Sequence, residues 1–298
     1  MRIGITGATG FIGTHVTQLA TQRGHEVITY SRRARPGSGS LVQPEGAPWR
    51  LPEPDRPLDA LIHLAGESVF GLWTRAKRQR IRDSRVAFTQ EMVHHIATWN
   101  HPPAALLVAS GVGYYGDRRD EALTETSPPG KGFLAEVCIG WEAAARLAEE
   151  RLGARVVSFR TGLVLGREAG AFPLMRRAFS FGLGGRLGSG RQWMPWIHIA
   201  DEAGLILWAA ENRTVTGPLN LTAPNPVTNA EFTRSLAAAL RRPAFLHAPA
   251  FALKAGLGDM AREMLLSGQR ALPAAAVSAG YLYQHPSLAL ALTQLLAR

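Results

Sequence analysis

The sequence has 298 residues, with 33 Lys+Arg against 23 Asp+Glu, a formal net charge of +10, 46% apolar and 19% charged residues. At about 100–200 residues per domain this length gives one large or two modest domains, and the apolar fraction excludes a disordered polyelectrolyte. The single cysteine, Cys138, excludes an intrachain disulfide and a thiolate metal cluster, and no metal is expected.

Patterning begins at Met1-Arg2-Ile3-Gly4-Ile5, so no signal peptide is expected. The best apolar stretch, Ala203 to Ala210, falls far short of the ~20 residues of a membrane span. A cytoplasmic chain with no membrane partner is expected. Arg2 to Thr6 reads as a strand, and helical spacing follows through Val16, Leu19 and Ala20 with Gly24 as C-cap. Glu26 to Tyr30 is a second strand. Arg35 to Pro57 is rich in Pro, Gly and Ser and reads as an irregular excursion, with room for a short strand around Trp49 to Leu51. Leu58 to Leu64 is a third strand, Arg75 to Ala97 a long helix, Ala105 to Ser110 a buried strand, Phe133 to Arg151 a helix and Arg155 to Phe159 a strand. After Gly166 the texture changes: Gly182 to Gly190 is glycine-rich and Ala230 to Arg298 mostly helical. Near-continuous apolar strands alternating with helices predict an α/β fold, a doubly wound parallel sheet of the Rossmann type with a smaller, mostly helical C-terminal domain. Residues 1–166 would form the nucleotide domain, with 194–223 returning to it, and 167–193 with 224–298 the substrate domain.

Gly7-x-x-Gly10-x-x-Gly13 lies between the first strand and the first helix, as a dinucleotide fingerprint requires. Gly7 permits the tight turn, Gly10 lets the backbone approach a pyrophosphate, and Gly13 allows close helix–sheet packing. The helix N-terminus offers free N–H groups and partial positive charge to phosphates. An ordinary turn is the bland alternative. NAD sites usually end the second strand with an acidic residue for the ribose 2′-OH. Here it ends Tyr30-Ser31-Arg32-Arg33, an arginine fork and a hydroxyl suited to a 2′-phosphate, or else a solvated surface pair. The spacing therefore points to NADP(H).

Thr6-Gly7-Ala8-Thr9-Gly10-Phe11-Ile12-Gly13 resembles the opening of the extended or atypical short-chain dehydrogenases/reductases, the family of sugar-nucleotide epimerases. His63-Leu64-Ala65-Gly66-Glu67, Ser110-Gly111-Val112-Gly113-Tyr114-Tyr115-Gly116, Arg160-Thr161-Gly162-Leu163-Val164-Leu165-Gly166 and Trp196-Ile197-His198-Ile199-Ala200-Asp201 follow in the family's order. Trp141-Glu142-Ala143-Ala144-Ala145, Leu187-Gly188-Ser189-Gly190-Arg191-Gln192-Trp193 and the ending around Gly280-Tyr281 narrow the likeness to an "epimerase family protein" subgroup with a C-terminal domain of unknown function. The resemblance covers essentially the whole chain. It implies cofactor contacts from Gly7, Thr9, Gly10, Phe11, Ile12, Gly13, Ser31, Arg32, Arg33, Leu64, Ala65, Gly66, Ser110 and Val164, with Arg82 or Arg85 approaching the adenosine phosphates. A small-molecule substrate and a monomer or homodimer are expected with it.

The family's chemistry uses a Tyr-x-x-x-Lys pair, in which the lysine lowers the phenol's pKa for proton exchange during hydride transfer. None of Tyr30, Tyr114, Tyr115, Tyr281 and Tyr283 has a lysine four residues later. Counting back from Glu142 places the pair on Leu134 and Cys138, neither of which can serve. The usual Ser/Thr partner aligns with Ser110 or Gly111. Ser110, Tyr115 and Glu67 are the replacement candidates, with Tyr114, Lys131, Glu136 and His198 nearby in the pattern. The bland readings are Glu67 as a helix cap, Tyr115 as packing, His198 as a satisfied buried histidine and Cys138 as a small core hydrophobe.

Arg75, Lys77, Arg78, Arg80, Arg82 and Arg85 fall within one helix but do not form one stripe at 100° per residue, which fits a solvated face. Arg186 and Arg191 suit either an anionic substrate or the loop surface. No nucleic-acid signature accompanies the charge, so such a partner is not expected. The leading reading is an NADP(H)-binding oxidoreductase or nucleotide-sugar epimerase-like enzyme with a degenerate Tyr-x-x-x-Lys site. The alternative is a catalytically silent NADPH-binding regulator or scaffold.

Overall fold

A computed structural model describes residues 1–31 and 51–297. Its centre is a sheet of six strands: β1 (Arg2–Thr6), β2 (Glu26–Tyr30), β3 (Ala60–His63), β4 (Ala105–Gly111), β5 (Arg155–Thr161) and β6 (Gly217–Leu221). The spatial order is β6-β5-β4-β3-β1-β2 and every pairing is parallel. The expected doubly wound Rossmann-like sheet is therefore what the chain forms. Chain direction across the sheet reverses between β1 and β3, which opens a crevice at their C-terminal ends.

Parallel strands need both faces covered, and the buried residues divide accordingly. On one face α1 (Phe11–Gln22) packs with Ile3, Ile5, Ile62, Leu107 and the later helix 199–211. On the other lie α2 (Arg75–Arg82), α3 (Phe88–Ile96) and α4 (Phe133–Leu152), whose Phe88, Met92, Trp141 and Ala145 meet Leu61, Leu106 and Val156. The helix expected over Arg75 to Ala97 is interrupted by a π-helical turn, Asp83–Ala87, and such turns are frequent at functional sites.

Beyond β5 the chain adds α5 (Phe172–Ser180), returns through α6 (Ile199–Glu211) to β6, and continues through α7 (Asn229–Leu240), α8 (Ala250–Leu257), α9 (Ala274–Ser278) and α10 (Leu288–Leu296). A Thr228–Glu231 capping box starts α7. Phe172, Trp196, Phe232, Leu236 and Leu292 give these helices a core of their own. The C-terminal stretch is less uniformly helical than expected. Leu246–Ala248 pairs with Gly185–Leu187, and Arg270–Ala271 with Ala122–Leu123. Of the strand expected at Trp49 to Leu51, only Leu51 is described, buried but in no strand; Trp49, like Arg32 and Arg33, lies outside the described residues. Among the described residues no helix is long and apolar enough to cross a membrane.

Candidate active site at the sheet's C-terminal edge

The turn from β1 to α1 is built so that only hydrogen fits at two glycines. Gly7 has φ +72°, and a Cβ there would lie 2.8 Å from the Ala65 nitrogen. At Gly13 a Cβ would sit 2.2 Å from the Gly7 carbonyl oxygen. The turn is thereby pressed against the Leu64-Ala65 end of β3, and α1 starts immediately above it. Gly10 caps α1 without a side-chain hydrogen bond, and no acidic residue stands in the first turn. Its N–H groups and the positive end of its dipole are therefore left for an anion. Phe11 closes the far side, packed so tightly on Gly166 that a Cβ there would lie 2.4 Å from its ring. The structure thus brings Gly7, Gly10, Phe11, Gly13, Leu64 and Ala65 together around one cradle, with Val164 in a ladder beside Ile197. Thr9 is exposed, Ile12 half-buried, and Ser31 directly follows β2. A dinucleotide's pyrophosphate fits such a cradle.

The arginines expected nearby have other partners. Arg85 lies on the π-helical turn with its guanidinium over Gly66, and its Nη1 donates to the Glu67 carbonyl at 2.9 Å. It sits 5.0 Å from the Trp141 ring, and burial lowers its pKa. It braces the β3 loop from below. Arg82 faces α4, 3.6 Å from Glu136. In this arrangement the Arg85 guanidinium is engaged with the β3 loop and Arg82 with α4. Glu67 accepts from Lys77 Nζ at 2.8 Å, and this bond holds its carboxyl below the usual range. With Lys77 as its partner, Glu67 is held as an ionised carboxylate beside the end of β3.

Ser110 and Tyr115 are linked through Glu142 and Arg160 in one buried hydrogen-bond network. Ser110 Oγ donates to Glu142 Oε1 at 2.9 Å. Glu142 in turn receives the Arg160 fork, from Nε at 2.9 Å and Nη2 at 2.8 Å, with both side chains buried. Burial opposes the Arg160 charge, but the carboxylate outweighs it and the pKa stands above the usual value. Arg160 Nη1 donates to the Tyr115 hydroxyl at 3.0 Å, and that hydroxyl donates to Asn220 Oδ1 at 2.7 Å. Tyr115 is 0% exposed, and burial raises its pKa. Both candidates are members of a closed polar network whose hydrogen-bonding groups are satisfied internally. Tyr114, half-buried, lies with its ring 3.5 Å from the Arg160 guanidinium carbon.

On α4, the two positions of the missing pair are absorbed into packing. Cys138 is buried, which pushes its thiol up to about 11. Leu134 joins an apolar cluster with Trp73, Phe133, Val137 and Met260 that attaches α4 to the C-terminal segment. Glu263 was not singled out from the sequence, yet its carboxylate accepts the backbone N–H groups of Phe133 at 3.0 Å and Leu134 at 2.9 Å. The available signal was Gly132 ahead of an apolar helix with no Ser, Thr, Asp or Asn to cap it.

Two buried groups elsewhere complete the electrostatics. His198 accepts from the Ala200 N–H through Nδ1 and pairs through Nε2 with Gln294 Oε1, and burial pushes it down to about 4. With Asp201 and His285 it forms the one group of potential metal ligands among the described residues, but Asp201 already receives the Gln284 and His285 N–H groups. Glu202 on α6 accepts from Thr161 Oγ1 at 2.9 Å, while its Oε2 is buried without a partner. Burial pushes that carboxyl up to about 8.

Residues 3–221 match the model of the NAD dependent epimerase/dehydratase family, and residues 248–295 match a domain of unknown function, DUF1731. The Bacillus subtilis epimerase family protein YfhF is 40% identical over 304 residues, covering 100% of this chain and 98% of that one. The crystal structure of human epimerase family protein SDR39U1 with NADPH superposes with a TM-score of 0.90 at 40% identity, covering 99% of both chains. A nucleoside-diphosphate sugar epimerase from Corynebacterium glutamicum superposes with a TM-score of 0.79 at 33% identity, covering 99% of this chain and 58% of that one.

Proposed function

The chain belongs to the NAD-dependent epimerase/dehydratase family, and from that premise we propose that it is an NADP(H)-dependent oxidoreductase that works without a Tyr-x-x-x-Lys pair. The observation that carries the cofactor is the Gly7–Gly13 cradle beneath an α1 N-terminus free of side-chain caps and acidic residues. NADPH in a relative that is 40% identical over essentially the full chain supports the choice of cofactor. So does a β2 that runs into Ser31-Arg32-Arg33 with no acidic residue for a 2′-OH. Bound there, the cofactor supplies or accepts a hydride. The chain's part is to hold the pyrophosphate on α1, to keep Arg85 bracing the β3 loop, and to fix the edge of β4 and β5 through Glu142 and Arg160.

Epimerase chemistry is disfavoured by the same geometry. Leu134 and Cys138 cannot exchange a proton with a sugar hydroxyl, and the Ser110 and Tyr115 hydroxyls are engaged in the buried network. That observation also favours a second reading, an NADPH-binding regulator without turnover. Calorimetry tests the cofactor assignment: NADPH is expected to bind more tightly than NADH, and Arg32→Ala to remove most of that preference. Equal affinities in the wild-type protein overturn it. NADPH oxidation across a panel of aldehydes and ketones separates enzyme from regulator.

A further inference from the structure

Eight described arginines are buried or half-buried, and seven of them have an acceptor: Arg160 has Glu142, Arg78 has Asp259, and Arg155 has the carbonyls of Ala209 and Val215. Arg270 is the exception among the described residues. It lies half-buried on the short ladder with Ala122–Leu123, its Nε fully enclosed and without a partner. Its guanidinium carbon lies 4.9 Å from the centre of the Trp193 ring. A partly desolvated cation with no acceptor is costly unless something else supplies the anion.

The surroundings hold this side chain in place. Gln269, next in the chain, is buried and donates to the Gly116 carbonyl at 2.8 Å, just past the end of β4. Gly268 is pressed against Trp193, where a Cβ would lie 2.4 Å from the Trp193 nitrogen. Trp193 is itself fixed by its indole N–H donating to Asp120 Oδ1 at 2.8 Å. A guanidinium stacked on an indole keeps its terminal nitrogens as a planar two-donor fork, which matches a carboxylate. Asp120 holds the same indole without pairing with Arg270, so its negative charge, fixed on the ring that backs the fork, favours an incoming group of one negative charge over a diphosphate.

We propose that Arg270, backed by Trp193, is the recognition site for a carboxylate group of the substrate. Assigning that carboxylate to the substrate rests on the oxidoreductase reading above; the anion site does not. The test is calorimetry of the full chain with oxamate, a carboxylate beside a carbonyl, and separately with inorganic pyrophosphate, each with and without NADPH. Oxamate is expected to bind saturably, at least tenfold more weakly to Arg270→Gln, and with intermediate affinity to Arg270→Lys, which keeps the charge but loses the fork. NADPH affinity should stay within twofold in both variants. Arg270→Gln leaves no acceptor unpaired, so it is expected to melt at or above the wild-type temperature, and Arg270→Lys carries the test if it does not fold. Absence of saturable oxamate binding, unchanged affinity in the variants, or tighter Arg270-dependent binding of pyrophosphate than of oxamate each overturns the proposal. Loss of NADPH binding with oxamate still held by Arg270 would instead overturn the cofactor reading alone.

Discussion

The β1–α1 turn and the β4–β5 edge lie along the same rim of one sheet, but they are stabilised by opposite means. In the turn, side chains are removed: Gly7 and Gly13 let backbone meet backbone, and the polar groups of the α1 N-terminus are left open. At the edge, polar side chains are packed in and closed on one another, from Ser110 through Glu142 and Arg160 to Tyr115 and Asn220. An open set of donors has capacity for an anion; a closed one spends its capacity on holding strands together. The comparison teaches that polar residues at a sheet's C-terminal edge mark chemistry only where their partners are missing.

The sharpest way to break this comparison is to open the closed region. Glu142→Ala leaves Arg160 buried and unpaired, and we expect a loss of about 3–5 kcal/mol in denaturant unfolding. If the variant instead unfolds at the wild-type denaturant concentration, the network is not what holds β4 to β5. The converse is to fill the open region. Gly13→Ala forces a Cβ against the Gly7 carbonyl oxygen and should cost about 1–3 kcal/mol, with NADPH binding lost in calorimetry. Retained cofactor binding there would show that the cradle can shift to admit a methyl group.

The contrast also explains what could be read from the amino-acid order. The glycine triplet is legible because a backbone approach leaves a residue type as its trace, and near-continuous apolar strands disclose a sheet covered on both faces. Ser110 and Tyr115 are legible as polar residues past a strand and Arg85 as a cation on a helix, but their roles are not, since these depend on partners 18 to 45 positions away in the chain. Glu142 served only as a counting mark, although it is the residue that satisfies both Ser110 and Arg160. Leu134 and Cys138 told plainly that the usual proton donor is gone. What replaced it, an apolar joint to Met260 with Glu263 on the helix end, required the fold.

Glu202 tests whether a buried polar group outside both regions behaves as the closed network does. Its folded pKa of about 8 stands above the ordinary carboxylate value, so the unfolded chain releases the proton first. Stability is therefore highest at low pH with respect to this group and declines as pH rises from about 4.5 to about 8, by at most roughly 1.4 kcal/mol per pH unit. Glu202→Gln keeps the size and removes the titration. Its unfolding free energy should be flatter than the wild type's over that window, measured by urea titration at several pH values. Parallel pH profiles for the two proteins would mean that Glu202 is hydrated and ionised in the folded chain.

The smallest expected effect lies at the joint between α4 and the C-terminal segment. Glu263 stands on the start of α4, where two N–H groups would otherwise lack acceptors and a helix dipole presents positive charge. Glu263→Gln keeps one oxygen acceptor and loses the charge, while Glu263→Ala loses both. Graded destabilisation is expected, about 0.5 kcal/mol for the first and about 1–2 kcal/mol for the second. NADPH affinity should not change, because the partners of Glu263 are on α4 and not in the glycine turn. The carboxylate is also the polar link between α4 and the segment carrying Met260 and Met264, so amide exchange in α4's first turn should accelerate more in Glu263→Ala than exchange in α1. Equal acceleration in both helices would mean that the cradle and the edge open together, and that the division drawn between them does not hold in solution.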